Sequence, residues 1–197
     1  MKIGIYGGSF DPVHRGHVKL ARHMVDSLGL DRLLIVPAYV SPFKRKTNVT
    51  PEDRLSMCRL AFPGDRFEVE SDEIDRGGQS YTVDTVKSIR ERYGENDYYL
   101  IIGSDQLFLF DLWYRFEDIL ADVTLCAVSR CAADEKAALE RFADERLRRY
   151  GCCLICDFDP LEISSTEIRE GVHRGDDMSA LLPETVAAYI EKRGLYK

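Results

Sequence analysis

At 197 residues with a formal net charge of −7, the chain is long enough to bury one sizeable core and too acidic for a broad nucleic-acid-binding face. No charged start precedes a long apolar stretch, and no window reaches the roughly eighteen apolar residues of a membrane span, so the expectation is a cytoplasmic protein that engages neither membrane nor nucleic acid. Six cysteines set in apolar runs such as TLCAV and CCLIC point to reduced core thiols rather than a disulfide framework.

Residues 2–6 read as a buried strand, and Val18, Ala21, Met24, Val25 and Leu28 then recur at helical spacing over 16–28, with Gly29 as the stop. Residues 32–38 form a second apolar strand, followed by a polar, proline-containing loop over 39–49 that holds the basic run Lys44-Arg45-Lys46. Thr50-Pro51-Glu52-Asp53 has the N-cap, first-turn proline and acids of a helix start, and Leu55, Cys58, Ala61 and Phe62 supply its buried face.

A strand at 66–71, a helix at 83–93 closed by Gly94 and a strand at 97–102 continue the alternation. A short helix at 116–121, a strand at 124–128, a charged helix at 133–149 and a strand at 153–157 follow, then helices near 166–173 and 183–192. The pattern predicts one domain over 1–197 of class α/β: a Rossmann-like, doubly wound, mostly parallel sheet with helices on both faces and a small C-terminal helical segment. In such a fold ligands bind at the carboxyl ends of the strands.

Cys153-Leu154-Ile155-Cys156 has the spacing of half a metal site, but no matching pair follows, and an alternating strand turns its two end cysteines to opposite faces. No residue is assigned to a resident metal.

The loop after the first strand reads GGSFDPVHRGH, residues 7–17. Its glycines let backbone approach a ligand closely, and the helix after it offers free N–H groups and a partial positive charge to a phosphate. Both the P-loop pattern and G-x-G-x-x-G are absent from it, which speaks against a P-loop kinase or a standard dinucleotide-binding dehydrogenase. His14 and His17, three residues apart, can converge on one ligand across the first helical turn and donate to phosphate oxygens, with an anion favouring their protonated form. Either alone could equally be a cap or a surface residue.

The motif G-G-S-F-D-P-x-H-x-G-H resembles the signature of the nucleotidyltransferase superfamily marked by [HT]-x-G-H. Ser80-Tyr81-Thr82-Val83-Asp84-Thr85, Gly103-Ser104-Asp105-Gln106-Leu107 with Trp113, and Ile163-Ser164-Ser165-Thr166-Glu167-Ile168-Arg169 are in turn similar to the bacterial nicotinate-nucleotide adenylyltransferase family, as is Leu182-Pro183 with Val186, Tyr189 and Ile190. The resemblance runs in order from about residue 3 to 196. It implies transfer of AMP from ATP to nicotinate mononucleotide, giving nicotinate adenine dinucleotide and pyrophosphate, with Mg²⁺ carried by ATP.

By the same resemblance His14, His17, Lys44 and Arg169 form the catalytic set. Gly7, Gly8, Ser9 and Phe10, with His17, Gly103, Asp105, Ser165 and Arg169, bind ATP. Thr82, Trp113 and Lys44 serve the nicotinate nucleotide. From local sequence alone, Asp105 could cap the next helix, Ser164–Thr166 could be an ordinary N-cap, and Trp113 could be core or interface. Phe43 departs from the family's P-x-H-K pattern, which leaves a histidine contact of some relatives unfilled. Carrying Lys44, the loop over 39–49 is expected to close over substrate.

A phosphate monoester is already anionic near neutral pH, so direct displacement needs no strong base and no covalent enzyme intermediate. Nicotinamide mononucleotide or phosphopantetheine stays open as acceptor, a nucleotide-binding module without turnover is the reading from another class, and a cysteine-based metal or redox protein is a third. The sequence leaves a homo-oligomer open.

Overall fold

The apolar run that opens the chain becomes a central strand. The computed structural model describes residues 1–40, 49–129 and 133–197; the expectations for Phe43, Lys44 and closure of the 39–49 loop fall on residues 41–48, outside the described residues. Among the described residues, the strands are β1 (Lys2–Gly8), β2 (Arg32–Pro37), β3 (Phe67–Val69), β4 (Asp97–Gly103), β5 (Thr124–Ser129) and β6 (Cys153–Asp157). All pair in parallel, in the order β3-β2-β1-β4-β5-β6. This is the doubly wound arrangement: after β3 the chain returns to the other side of β1, and the carboxyl ends of β1 and β4 open a crevice between them.

Alternation along the strands explains why both faces are covered. Tyr6, Leu33, Ile35, Ile101, Cys126 and Val128 face a core built with α1 (Arg15–Leu28), α2 (Pro51–Ala61), α8 (Ser165–Arg174) and α9 (Glu184–Arg193). Ile3, Ile5, Leu34, Val36, Leu100, Ile102 and Leu125 face the opposite core, built with α4 (Thr82–Tyr93), α6 (Phe116–Asp122) and α7 (Ala133–Phe142). Met24 and Val25 anchor α1 at 0 and 2% exposure, and burying such a side chain contributes about 1.5–3 kcal/mol. Cys153 packs in the second core and Cys156 against the first, as their odd spacing dictates.

Local chemistry sets the helix starts. Thr50 Oγ1 accepts from the backbone N–H of Asp53 at 3.1 Å, and the Asp53 carboxylate receives the Thr50 hydroxyl at 2.8 Å, a reciprocal cap for α2. The C-terminal helices are integral to the first core: Tyr189 of α9 donates to Asp53 Oδ1 at 2.9 Å, and Arg193 donates to the same oxygen at 3.1 Å.

Three segments differ from the sequence reading. The third strand is only three residues, and Asp72–Arg76 turns instead into a short helix, α3, whose Asp72 pairs with Arg92, as does Glu70 just before it. Ser104–Leu107 forms another short helix, α5, directly after β4. Finally, the helix expected over 133–149 is α-helical only to Phe142 and widens into a π turn over Ala143–Leu147, which keeps both end residues of that turn in the core.

Candidate active site

Three loops meet above the crevice between β1 and β4. They enclose a cavity of about 610 Å³ lined by Gly7, Gly8, Ser9 and His17 on one side, by Gly103 and Asp105 at the end of β4, and by Thr82, Thr85 and Trp113 opposite. That volume suits a nucleotide-sized ligand.

The glycine loop is shaped by what lies beneath it. Phe10 takes a left-handed backbone (φ 45°) and turns its ring into the core, edge-on to Tyr6 at 5.4 Å and to His17 at 5.1 Å. A side chain on Gly8 would begin 3.1 Å from the Phe10 ring, a tight contact that the bare glycine avoids, so the loop lies close over that ring. Phe10 therefore offers its backbone to the site while its side chain is core, at 1% exposure.

His14 is the N-cap residue of α1 and His17 its third helical residue. Their rings lie 3.7 Å apart at 33°, and the backbone N–H of His14 donates to His17 Nδ1 at 3.2 Å. An accepting Nδ1 places the proton of neutral His17 on Nε2. The sequence expectation, that a bound anion favours the protonated imidazoles, concerns the liganded site; in this structure the His14 N–H bond to Nδ1 leaves the Nε2 side of His17 available to donate. His17 lines the cavity, where its ring N–H can serve as a donor to a ligand oxygen.

Helix α8 reaches back to the same loop. Ser164 is its N-cap, accepting from Glu167 N–H at 3.1 Å, while the Ser165 hydroxyl donates to the Pro12 carbonyl at 3.0 Å. Arg169 donates from Nη1 to the Asp11 carbonyl at 2.7 Å and from Nη2 to Thr166 Oγ1 at 3.0 Å. His14, Ser165 and Arg169 thus gather around the loop, with the N-termini of α1 and α8 converging there.

At the end of β4, the Asp105 carboxylate folds back over Gly103: a Cβ there would fall 2.6 Å from Asp105 Oδ1 and would push that side chain aside. Asp105 is exposed and takes one bond from Gln106 Nε2 at 2.9 Å, leaving acceptor capacity toward the cavity. Thr82 starts α4 on the opposite wall, and Trp113 is half-buried with its ring centroid 4.9 Å from that of Phe110.

Two charged residues near the cavity escaped the sequence reading. Arg54, 5% exposed, donates from its guanidinium to the carbonyls of Ser9 at 2.7 Å, Ala38 at 2.6 Å and Tyr39 at 2.7 Å. Its signal was present: Arg54, Cys58 and Ala61 fall at i, i+4 and i+7, which puts a charge on the apolar stripe of α2. Glu73 lines the cavity and accepts from Thr85 Oγ1 at 2.7 Å. Burial raises its carboxyl above the ordinary range despite that hydrogen bond and the charges of Arg76 and Arg54. It sits on α3, too short a helix to show a period.

The cytidylyltransferase-like family model matches residues 5–171. A protein of Roseiflexus sp. named "probable nicotinate-nucleotide adenylyltransferase" is 41% identical over 99% of this chain and 98% of its own length. One of the same name from Opitutus terrae is 39% identical over 100% and 98%. A solved structure of Plasmodium falciparum nicotinic acid mononucleotide adenylyltransferase, complexed with NaAD, superposes with a TM-score of 0.77 at 18% identity, covering 99% of this chain and 97% of that one. At that identity the likeness speaks for the fold. The full-length relatives speak for more: within the cytidylyltransferase-like family, the chain belongs to the nicotinate-nucleotide adenylyltransferases.

Proposed function

We propose that the chain, acting as one nucleotidyltransferase domain, transfers AMP from ATP to nicotinate mononucleotide and releases pyrophosphate, as the first step that joins the two nucleotides into a dinucleotide. One observation carries the reading: a single cavity touches both the glycine loop with His17 and the wall holding Thr82 and Trp113. A dinucleotide product would need such a continuous space.

In this reading a phosphate oxygen of nicotinate mononucleotide attacks the α-phosphorus of ATP, a new P–O bond forms, and the bond to the β-phosphate bridging oxygen breaks. The nucleophile is already ionised, so no residue need take a proton. His17, through Nε2–H, and His14 hold phosphate oxygens, aided by backbone N–H groups at the starts of α1 and α8. Ser165 and Arg169 hold the loop and add donors at its edge. Gly7, Gly8, Ser9 and the Phe10 backbone let the ligand lie close, Asp105 beside Gly103 accepts ribose hydroxyls, and Trp113 stacks on the nicotinate ring while Thr82 meets its carboxylate. Lys44 is assigned charge neutralisation across both substrates.

The family's divalent cation is assigned as Mg²⁺ travelling with ATP. Among the described residues no three His, Cys, Asp or Glu side chains gather to hold a metal, and the donors in the loop suit phosphate oxygens, so the fit is to a nucleotide-borne ion. When bound, it supplies charge neutralisation on the phosphates. The proposed setting is cytoplasmic; among the described residues no helix is long and apolar enough to cross a membrane.

The test is pyrophosphate release from Mg-ATP with nicotinate mononucleotide, nicotinamide mononucleotide or phosphopantetheine supplied separately. Strong preference for the first is expected, because a site built for the carboxylate leaves donors unpaired against the amide. Preference for another acceptor would overturn the substrate, and a trapped nucleotidylated enzyme would overturn direct displacement.

A further inference from the structure

The loop that carries His14 and His17 is held from below by a residue far along the chain. Asp11 is 3% exposed, and its Oδ1 accepts the hydroxyl of Tyr196 at 2.7 Å across a separation of 185 residues. Its own carbonyl takes Arg169, and the next carbonyl, of Pro12, takes Ser165. The loop is therefore tied at three consecutive points: side chain, carbonyl, carbonyl.

Tyr196 arrives there by a defined route. Gly194 ends α9 in the left-handed conformation (φ 63°), its N–H bonding Glu191 O, and the Leu195 N–H bonds Ile190 O at 3.0 Å. This turn sends the chain back toward β1, with Tyr196 also at positive φ (63°). Burial and the neighbouring Asp11 charge push the Tyr196 phenol well above its ordinary range, so it is a neutral donor throughout the working pH range. The second Asp11 oxygen, Oδ2, is buried with no hydrogen-bond partner among the described residues. Tyr196 is thus the side-chain donor on which this carboxylate depends.

We propose that Tyr196 is a positioning residue for adenylyl transfer: through Asp11 it fixes the backbone of residues 9–14, and with it the placement of His14 and His17. It touches no reacting atom. An unheld loop of this kind would lose the alignment of two mutually repelling anions, on which displacement depends.

The proposal rests on the adenylyl-transfer reading, so its test has one arm that does not. In Tyr196→Phe, which keeps the ring and removes the donor, amide hydrogen exchange over residues 9–14 should speed up without ligand present. Unchanged exchange there overturns the proposal, whatever the enzyme's substrate. In the activity arm, at a temperature where circular dichroism shows the variant folded, kcat/KM for nicotinate mononucleotide should fall between about 10- and 100-fold. Leu195→Ala, which trims packing in the same turn but leaves the hydroxyl, should lower Tm with kcat/KM held. If both variants lose stability and neither loses kcat/KM, Tyr196 is structural only and the proposal fails. Tyr196→Phe should also add little to the loss in Asp11→Ala, since both cut the same link; additive losses would overturn it.

Discussion

Arg54 Nη1 lies 2.7 Å from the carbonyl oxygen of Ser9, so α2 grips the loop after β1 from below. The same guanidinium holds the carbonyls of Ala38 and Tyr39 at the end of β2, joining the two loops that border one end of the cavity. Arg54→Lys keeps the charge but cannot reproduce a planar fork serving three acceptors. The expected cost is about 1.5–3 kcal/mol in urea unfolding, with a fall in adenylyl transfer under folded conditions. A variant as stable and active as the parent would show that the three bonds do not fix the site.

Glu73 and Thr85 make a separate prediction about pH. Because burial raises the Glu73 carboxyl, the folded state binds its proton more tightly than the unfolded state does. Stability from this group is therefore intact below the unfolded value of about 4.3 and declines as pH rises from there through the raised folded value. Glu73→Gln retains an acceptor for the Thr85 hydroxyl without the ionisation. Its Tm relative to the parent should improve between pH 4 and pH 7, and a difference that stays flat with pH would remove burial as the dominant influence.

The strands were legible because apolar runs of the first, second and fourth leave few alternatives, and the glycine loop because His14, Gly16 and His17 sit at fixed offsets. What escaped has physical reasons. Helices α3 and α5 are five and four residues long, under two turns, so no period is visible. The widened turn after Phe142 keeps Leu139, Ala143 and Leu147 on one face, so the pattern reads as a single helix. The tautomer of His17 depends on a backbone bond that spacing does not reveal, and Tyr196 meets Asp11 only through the tertiary fold.

Asp53 should behave oppositely to Glu73. Burial works to raise its carboxyl, but hydrogen bonds from Thr50, Tyr189 and Arg193, with the charge of Arg193, outweigh this and hold it below the ordinary range. The resulting stability is present above the unfolded value of about 3.9 and is lost as pH falls through the depressed folded value. Asp53→Asn should destabilise the fold near neutral pH, and the gap to the parent should close as the pH drops below about 4. A gap independent of pH would mean that the ionisation of Asp53 does not contribute to joining α2 and α9.

His17 separates fold from chemistry more sharply than any other residue of the loop. Its Nδ1 caps the His14 N–H, and its Nε2 proton is the one assigned to a phosphate oxygen. His17→Asn keeps a side-chain oxygen able to accept from the His14 N–H, whereas His17→Ala removes both functions. Losing the cap-type bond should cost His17→Ala about 1 kcal/mol of stability, most of which Asn restores. Adenylyl transfer should instead fall in the alanine variant by about 10²–10³-fold, the cost of removing one well-placed donor to developing charge. The asparagine amide is shorter and aimed at the His14 N–H, so its rate should stay near the alanine level even as its stability recovers. Rates that track stability across the pair would reduce His17 to a helix cap and leave the triphosphate to other donors.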